Sequence, residues 1–208
     1  MKPSQIVKWS AIICFGLSIA IILAYALTRD KPLGEGYKLA SEYGGEFTLQ
    51  SDKGPVSLSD FKGKVVVIYF GFMNCQDACP VSLGKMRRAF KRLDETELEH
   101  VQGIMVSIDP KRDTVEDLAA FTKNYHKNVI GLVDDKDTID KLVDQYGGMA
   151  DMDILDGNSI TYNVEHSSRF YMIDKNGKLL TTMSYSTTPA EIVAKIREML
   201  KEPQKNGA

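Results

Sequence analysis

Apolar positions follow three different spacings along the chain. From Trp9 to Leu27, nineteen residues carry no charge and only Ser10 and Ser18 interrupt the apolar run. At 1.5 Å per helical residue that length matches the hydrocarbon core of a bilayer, so a single membrane-spanning helix is predicted over 9–27. Residues 28–45 hold Pro32, Gly34, Gly36, Gly44 and Gly45 without periodicity and form a tether. Beyond it the pattern alternates. Val65 to Phe70 is the continuous β-branched and aromatic run of a strand buried on both faces. Leu83, Met86, Phe90 and Leu93 then recur at helical spacing, with Pro80 suited to the first helical position. Ile104–Ile108 predicts the next strand, and Asp113 with Glu116 predicts a capped helix through Tyr125. Val129–Val133 is a short apolar run. Ile139, Leu142, Val143 and Tyr146 mark a helical face stopped by Gly147-Gly148. Arg169–Asp174 and Lys178–Tyr185 flank Lys175-Asn176-Gly177, a hairpin signal. Thr188, Pro189 and Glu191 open a last helix along Ile192, Ile196 and Leu200.

Parallel βαβ units followed by a hairpin and a terminal helix predict an α/β fold: a thioredoxin-like mixed sheet flanked by helices. The expected organisation is a cytoplasmic terminus at 1–8, an anchor at 9–27, a tether at 28–45, one folded domain at 46–202 and a disordered tail at 203–208. Lys2 and Lys8 precede the span, whereas the charges after it cancel, which places the start in the cytoplasm and the domain on the non-cytoplasmic side of the inner membrane. A cleaved signal peptide ending near Ala24-Tyr25-Ala26 is the rival reading.

Charge narrows the partners. The 208 residues hold 26 basic and 28 acidic side chains, a net −2 that offers no field for binding a run of phosphates, so no nucleic-acid partner is expected. Three cysteines are too few for a disulfide-stapled scaffold or a four-thiolate cluster, and Cys14 lies in the predicted span. The chemistry therefore rests on Cys75 and Cys79.

The pair falls between the buried strand and the helix after it. If Pro80 opens that helix, Cys79 is its cap and Cys75 lies in the loop. If the helix starts earlier, the sulfurs are one turn apart. Either register sets two thiols near a helix amino terminus, where unpaired N–H groups favour the thiolate. A C-x-x-x-C pair alone serves a disulfide, zinc or copper. Of the histidines, His100 and His126 sit in charged surroundings and are expected at the surface. His166 enters the hairpin from a polar loop that, in a thioredoxin-like sheet, faces the cysteines. Two thiolates with one imidazole suit Cu(I) while keeping Cu(II) accessible, and structural zinc would need a fourth ligand. Met73 is a further thioether close to the pair. In Asp109-Pro110-Lys111-Arg112-Asp113-Thr114, Asp109 is expected to end the strand and Asp113 to cap the helix. A second role for Asp109 or Arg112 is to point to the cysteine loop or to support a partner surface at the strand ends.

Taken together, Gly71-Phe72 leading to Cys75-x-Asp77-x-Cys79-Pro80, the block Ser107-Ile108-Asp109-Pro110 with Arg112-Asp113-Thr114, then Val164-Glu165-His166-Ser167 and Tyr171-x-Ile173-Asp174 resemble the Sco/SenC family of membrane-anchored copper-binding proteins. The resemblance implies a thioredoxin-like fold, copper held by Cys75, Cys79 and His166, and assistance to the copper centre of cytochrome c oxidase. The oxidase's copper-binding subunit and a copper donor protein are the partners it implies. Gln76 and Glu165 stand where family members commonly carry Pro and Asp; neither change removes a ligand.

Metal delivery has a rival in thiol–disulfide exchange, with Cys75 and Cys79 reducing the cysteines of an oxidase subunit. Oxidoreductases of this fold carry C-x-x-C and a facing cis-proline, whereas this chain has three residues between its cysteines and no proline from Lys111 to Thr188.

Overall fold

The computed structural model describes residues 42–148 and 168–203, the backbone of 154–155 and 159–160, and Gly16 and Ile19. The expected anchor apart from Gly16 and Ile19, most of the tether, most of the tail and His166 lie outside the described residues. Among those described, no helix is long and apolar enough to cross a membrane. The elements below belong to one compact unit, Ala40–Ala208.

A hairpin of β1 (Thr48–Ser51) and β2 (Gly54–Ser57) opens the unit, and a 3-10 turn over Leu58–Phe61 follows. Next come β3 (Val65–Gly71), α1 (Ala78–Phe90), the short α2 (Glu95–Glu99) and β4 (Val101–Ser107). After them lie α3 (Val115–Lys123), β5 (Val129–Leu132) and α4 (Lys136–Gln145). A small antiparallel pair, β6 (Ile154–Leu155) and β7 (Ser159–Ile160), precedes the hairpin of β8 (Phe170–Ile173) and β9 (Leu179–Met183), and α5 (Pro189–Lys201) closes the unit.

Five strands form the central sheet in the order β5-β4-β3-β8-β9. β3, β4 and β5 run parallel, whereas β8 and β9 are antiparallel to their neighbours. Every residue of β3 and β4 is buried, which is why their apolar runs lack alternation. Each fully buried valine or isoleucine there contributes about 1.5–3 kcal/mol.

Helices cover both faces. On one, Gly103 leaves room for α1, because a Cβ there would lie 2.9 Å from Met86 and 3.0 Å from Phe90. Gly131 does the same for α3, where a Cβ would meet Leu118 at 2.4 Å. On the other face Phe70, Tyr171 and Tyr146 of the turn after α4 pack edge to face, with Phe70 and Tyr171 centroids 5.2 Å apart. The Tyr146 hydroxyl donates to Gly45 O at 2.7 Å and ties the start of the unit to this cluster.

The last helix is capped as the sequence predicts: Thr188 Oγ1 accepts from Glu191 N, and the Glu191 carboxylate accepts from Thr188 N at 2.7 Å. The helix after β4 is not. Thr114, not Asp113, is the cap of α3, accepting from Asp117 N at 3.2 Å. Threonine does this work because Asp113 is turned inward, and α3 ends at Lys123 rather than Tyr125. β4 ends at Ser107, two residues before Asp109.

Candidate metal centre

β3 and β4 pair in register from Val65 with Val101 to Gly71 with Ser107, so their carboxyl ends stop together and their following loops emerge side by side. This is the edge where open α/β sheets place their chemistry. Ile108 N donates to Gly71 O at 2.9 Å and extends the contact between the loops.

The loop after β3 carries Cys75, and α1 starts at Ala78, so Cys79 is the second helical residue and Pro80 the third rather than the first. Proline is tolerated there because the opening N–H groups of a helix have no intrahelical partner. The earlier start settles the register of the cysteines: Cys79 N donates to Cys75 Sγ at 3.4 Å across one turn. Both cysteines are free and buried, with 7% and 3% of their surface exposed.

Their protons are shared unequally. The Cys79 thiol donates to Cys75, and together with the N–H groups of Cys79, Asp77 and Ala78 it outweighs burial and lowers the Cys75 pKa to about 6. Cys79 is pushed up, chiefly by holding the proton it gives to Cys75 and then by its own burial. At neutral pH the reduced pair is one thiolate and one thiol.

Behind Cys79 stands Tyr69 of β3, whose hydroxyl donates to Cys79 Sγ at 3.6 Å. Burial raises the tyrosine pKa. Gly71 makes the close approach feasible: a Cβ there would lie 3.0 Å from Cys79 Sγ and 2.7 Å from Tyr69 Cε1. The Ser168 side chain interacts with the same Tyr69 hydroxyl. Ser168 precedes β8, which opens with Phe170 paired to Tyr69.

The loop after β4 braces the cysteine loop. Asp113 Oδ2 accepts from Met73 N at 3.0 Å and from Ser107 Oγ at 2.6 Å, and Ser107 Oγ accepts from Asp109 N at 3.1 Å. Asp109 is buried and ion-paired to Arg112, whose guanidinium lies 5.9 Å from the Phe72 ring centre. Burial raises the Asp113 pKa. Arg112, held by Asp109, thus points to the loop that carries Cys75, and Asp113 supplies the direct bond to that loop. Thr114 with Asp117 three residues on was the signal that a second cap stood beside Asp113.

His100 is exposed as expected. His126 is not a freely solvated residue: it is partly buried, edge-on to Phe90 at 5.5 Å, and accepts from Asn128 N at 3.1 Å. Burial lowers its pKa. Among the described residues no three His, Cys, Asp or Glu side chains converge as a metal cage.

A buried, unequally protonated dithiol at the first turn of a helix, on a mixed sheet of this order, defines a dithiol protein of thioredoxin-like architecture. A family model described as SCO1/SenC matches residues 35–201, and the chain belongs to that family. The SCO2-like protein of Rickettsia conorii is 32% identical over 202 residues, covering 93% of this chain and 97% of its own. The copper-bound structure of Bradyrhizobium japonicum ScoI is similar with a TM-score of 0.68 at 27% identity, covering 76% of this chain and 99% of that one. BsSco, a member of the Sco family of cytochrome c oxidase assembly proteins in which a disulfide switch was identified, has a TM-score of 0.63 at 26% identity, covering 78% and 96%.

Proposed function

We propose that this chain is a membrane-anchored metallochaperone that carries copper as cargo on Cys75, Cys79 and His166 and delivers it during assembly of the copper centre of cytochrome c oxidase. The observation that carries this reading is the Cys75 thiolate one turn from the Cys79 thiol, with backbone N–H groups directed at the first sulfur. Two soft sulfurs within one helical turn fit Cu(I), and a cation replaces the proton they share. The third ligand is consistent with the frame: His166 stands two residues before Ser168, whose side chain meets Tyr69 behind Cys79. Similarity to a copper-bound ScoI and to an oxidase assembly protein supports the cargo and the destination.

In this reading residues 1–8 are cytoplasmic, 9–27 span the inner membrane, 28–45 tether the domain and 46–202 work on the periplasmic side. Cys75, Cys79 and His166 hold the ion, and sulfur ligands of the oxidase's copper-binding subunit displace them one at a time. A copper donor protein loads the site by the same exchange in reverse.

The unequal protonation of the pair favours one second reading, reduction of a disulfide in the oxidase subunit. Cys75 thiolate attacks one partner sulfur and releases the other as thiolate. Cys79 then gives up its proton and attacks Cys75, freeing the second partner thiol and leaving a Cys75–Cys79 disulfide.

Metal stoichiometry separates the two. The full chain in detergent, reduced anaerobically, is titrated with Cu(I) and with Cu(II) beside His166→Ala. One copper per chain, with a thiolate-to-Cu(II) absorption band lost in the variant, is the expected result. No stable copper despite two free thiols would transfer the function to disulfide reduction.

A further inference from the structure

The inward side of α1 carries Cys79, Leu83, Met86 and Phe90, whereas its outward side changes character halfway along. Pro80 and Val81, beside the dithiol, are exposed and apolar. Lys85, one turn beyond Val81, donates to Tyr185 O and lies 4.5 Å over the exposed Tyr185 ring, holding that ring against the same surface. Arg87 and Arg88, with Lys91 and Arg92 just past the end of the helix, then project into solvent. No acidic residue occurs between Asp77 and Asp94.

These four cations stand together on one short stretch of the chain, whereas several helix cations elsewhere are paired, as in Lys136 with Asp140, Lys195 with Glu198 and Arg197 with Glu97. No ion pair joins Arg87, Arg88, Lys91 or Arg92 to an acidic side chain among the described residues. Beyond residue 30 the chain has 23 basic and 27 acidic side chains, so the field of α1 is set within an otherwise acidic domain. The helix dipole favours cations in a last turn, which accounts for Arg87 and Arg88 individually. It does not account for Arg87 with Lys91 and Arg88 with Arg92, like charges four residues apart that repel.

We propose that the outward face of α1 is a docking surface for a protein partner that presents an acidic rim around the ligands it offers to the dithiol. The inference rests on the delivery reading above and names the partner's surface chemistry. The arrangement is that of a protein interface: an apolar patch at Val81 and Tyr185 next to the reacting group, bordered by charges, with arginine supplying three of the four free cations. An anionic lipid surface would use the cations and leave the apolar patch beside the sulfurs unexplained. Attraction between unlike faces raises the encounter rate and orients the sulfurs toward the recipient.

The test uses the full chain in detergent, loaded with Cu(I), and the soluble copper-binding domain of the oxidase subunit as probe. Arg88→Glu/Lys91→Glu is compared with Lys53→Glu/Lys141→Glu, which changes net charge equally at exposed positions off α1. The expected result is a transfer rate reduced about tenfold at low ionic strength in the α1 variant alone, with its salt dependence flattened. Equal rates and equal salt dependence in the two variants would overturn the proposal. So would unchanged transfer combined with loss of binding to phosphatidylglycerol vesicles, which assigns the face to lipid. If the unaltered chain transfers no copper, delivery itself fails. The surface is then decided by association of the metal-free chain with the same domain: weakening by the α1 variant alone sustains it, and no difference refutes it.

Discussion

Asp113 and Met73 are joined across the edge of the sheet: Asp113 Oδ2 accepts the Met73 amide at 3.0 Å, although forty residues separate them. The same oxygen holds Ser107 at the end of β4. One buried carboxylate therefore fixes the cysteine loop to the neighbouring strand, and its removal leaves both donors without an acceptor.

Replacing Asp113 with alanine is expected to cost about 1–3 kcal/mol, the penalty for leaving buried donors unsatisfied. Urea unfolding of the reduced, metal-free protein measures it. Asp113→Asn keeps an acceptor oxygen and is expected to lose less. Equal losses in the two variants would assign the effect to charge rather than to the Met73 and Ser107 bonds.

Titration of Cys75 gives a second prediction. In the reduced, metal-free chain Cys75 is expected to alkylate with a midpoint near about 6, while Cys79 stays unreactive well above neutrality. Peptide mass spectrometry after brief iodoacetamide pulses at a series of pH values reads both sites. In Cys79→Ser the Cys75 midpoint is expected to rise, because the thiol that most lowers it is replaced by a weaker acid. The unfolded chain keeps this proton up to about 9, so the thiolate's contribution to stability is complete above that pH and is lost as pH falls through about 6. A Cys75 midpoint at the ordinary thiol value would refute the assignment.

Gly71 sets a third. Alanine there would bring a methyl group to 3.0 Å from Cys79 Sγ and 2.7 Å from the Tyr69 ring, an overpacking expected to cost about 1–3 kcal/mol. The thermal midpoint of the metal-free protein should fall, and the Tyr69→Phe/Gly71→Ala double variant, which loses only the hydroxyl and keeps the crowding at Cε1, should not recover it. A neutral Gly71→Ala would mean that strand β3 can withdraw from the cysteine.

Much of this architecture is legible in the chain because local and global signals coincide. The run from Val65 to Phe70 is apolar at each position since β3 is covered on both faces, and Thr188, Pro189 and Glu191 state the start of α5 in three consecutive rules of capping. The β1–β2 hairpin is harder to see: each strand has four residues, part of each is exposed, and the pair is held by partners such as Val133, which bonds Gln50 in both directions. Asp113 is misleading for a different reason. Aspartate and threonine are both good caps, and which of them serves α3 is decided by the buried amide of Met73, a group no local pattern reveals. The cysteine pair is legible as chemistry but not as geometry. Its register turns on whether α1 begins before Pro80, and a hydrogen bond from Cys79 N to a sulfur decides that.

The forty-residue reach of Asp113 also orders events in time. Cys75 and Cys79 leave the ribosome well before β4 and Asp113 do, and a thirteen-residue helix such as α1 is marginal without a sheet to lie on. Until then the two sulfurs are ordinary thiols on a flexible chain. Their nucleophilicity is switched on by completion of the fold, so a half-made molecule does not attack its neighbours through a primed thiolate.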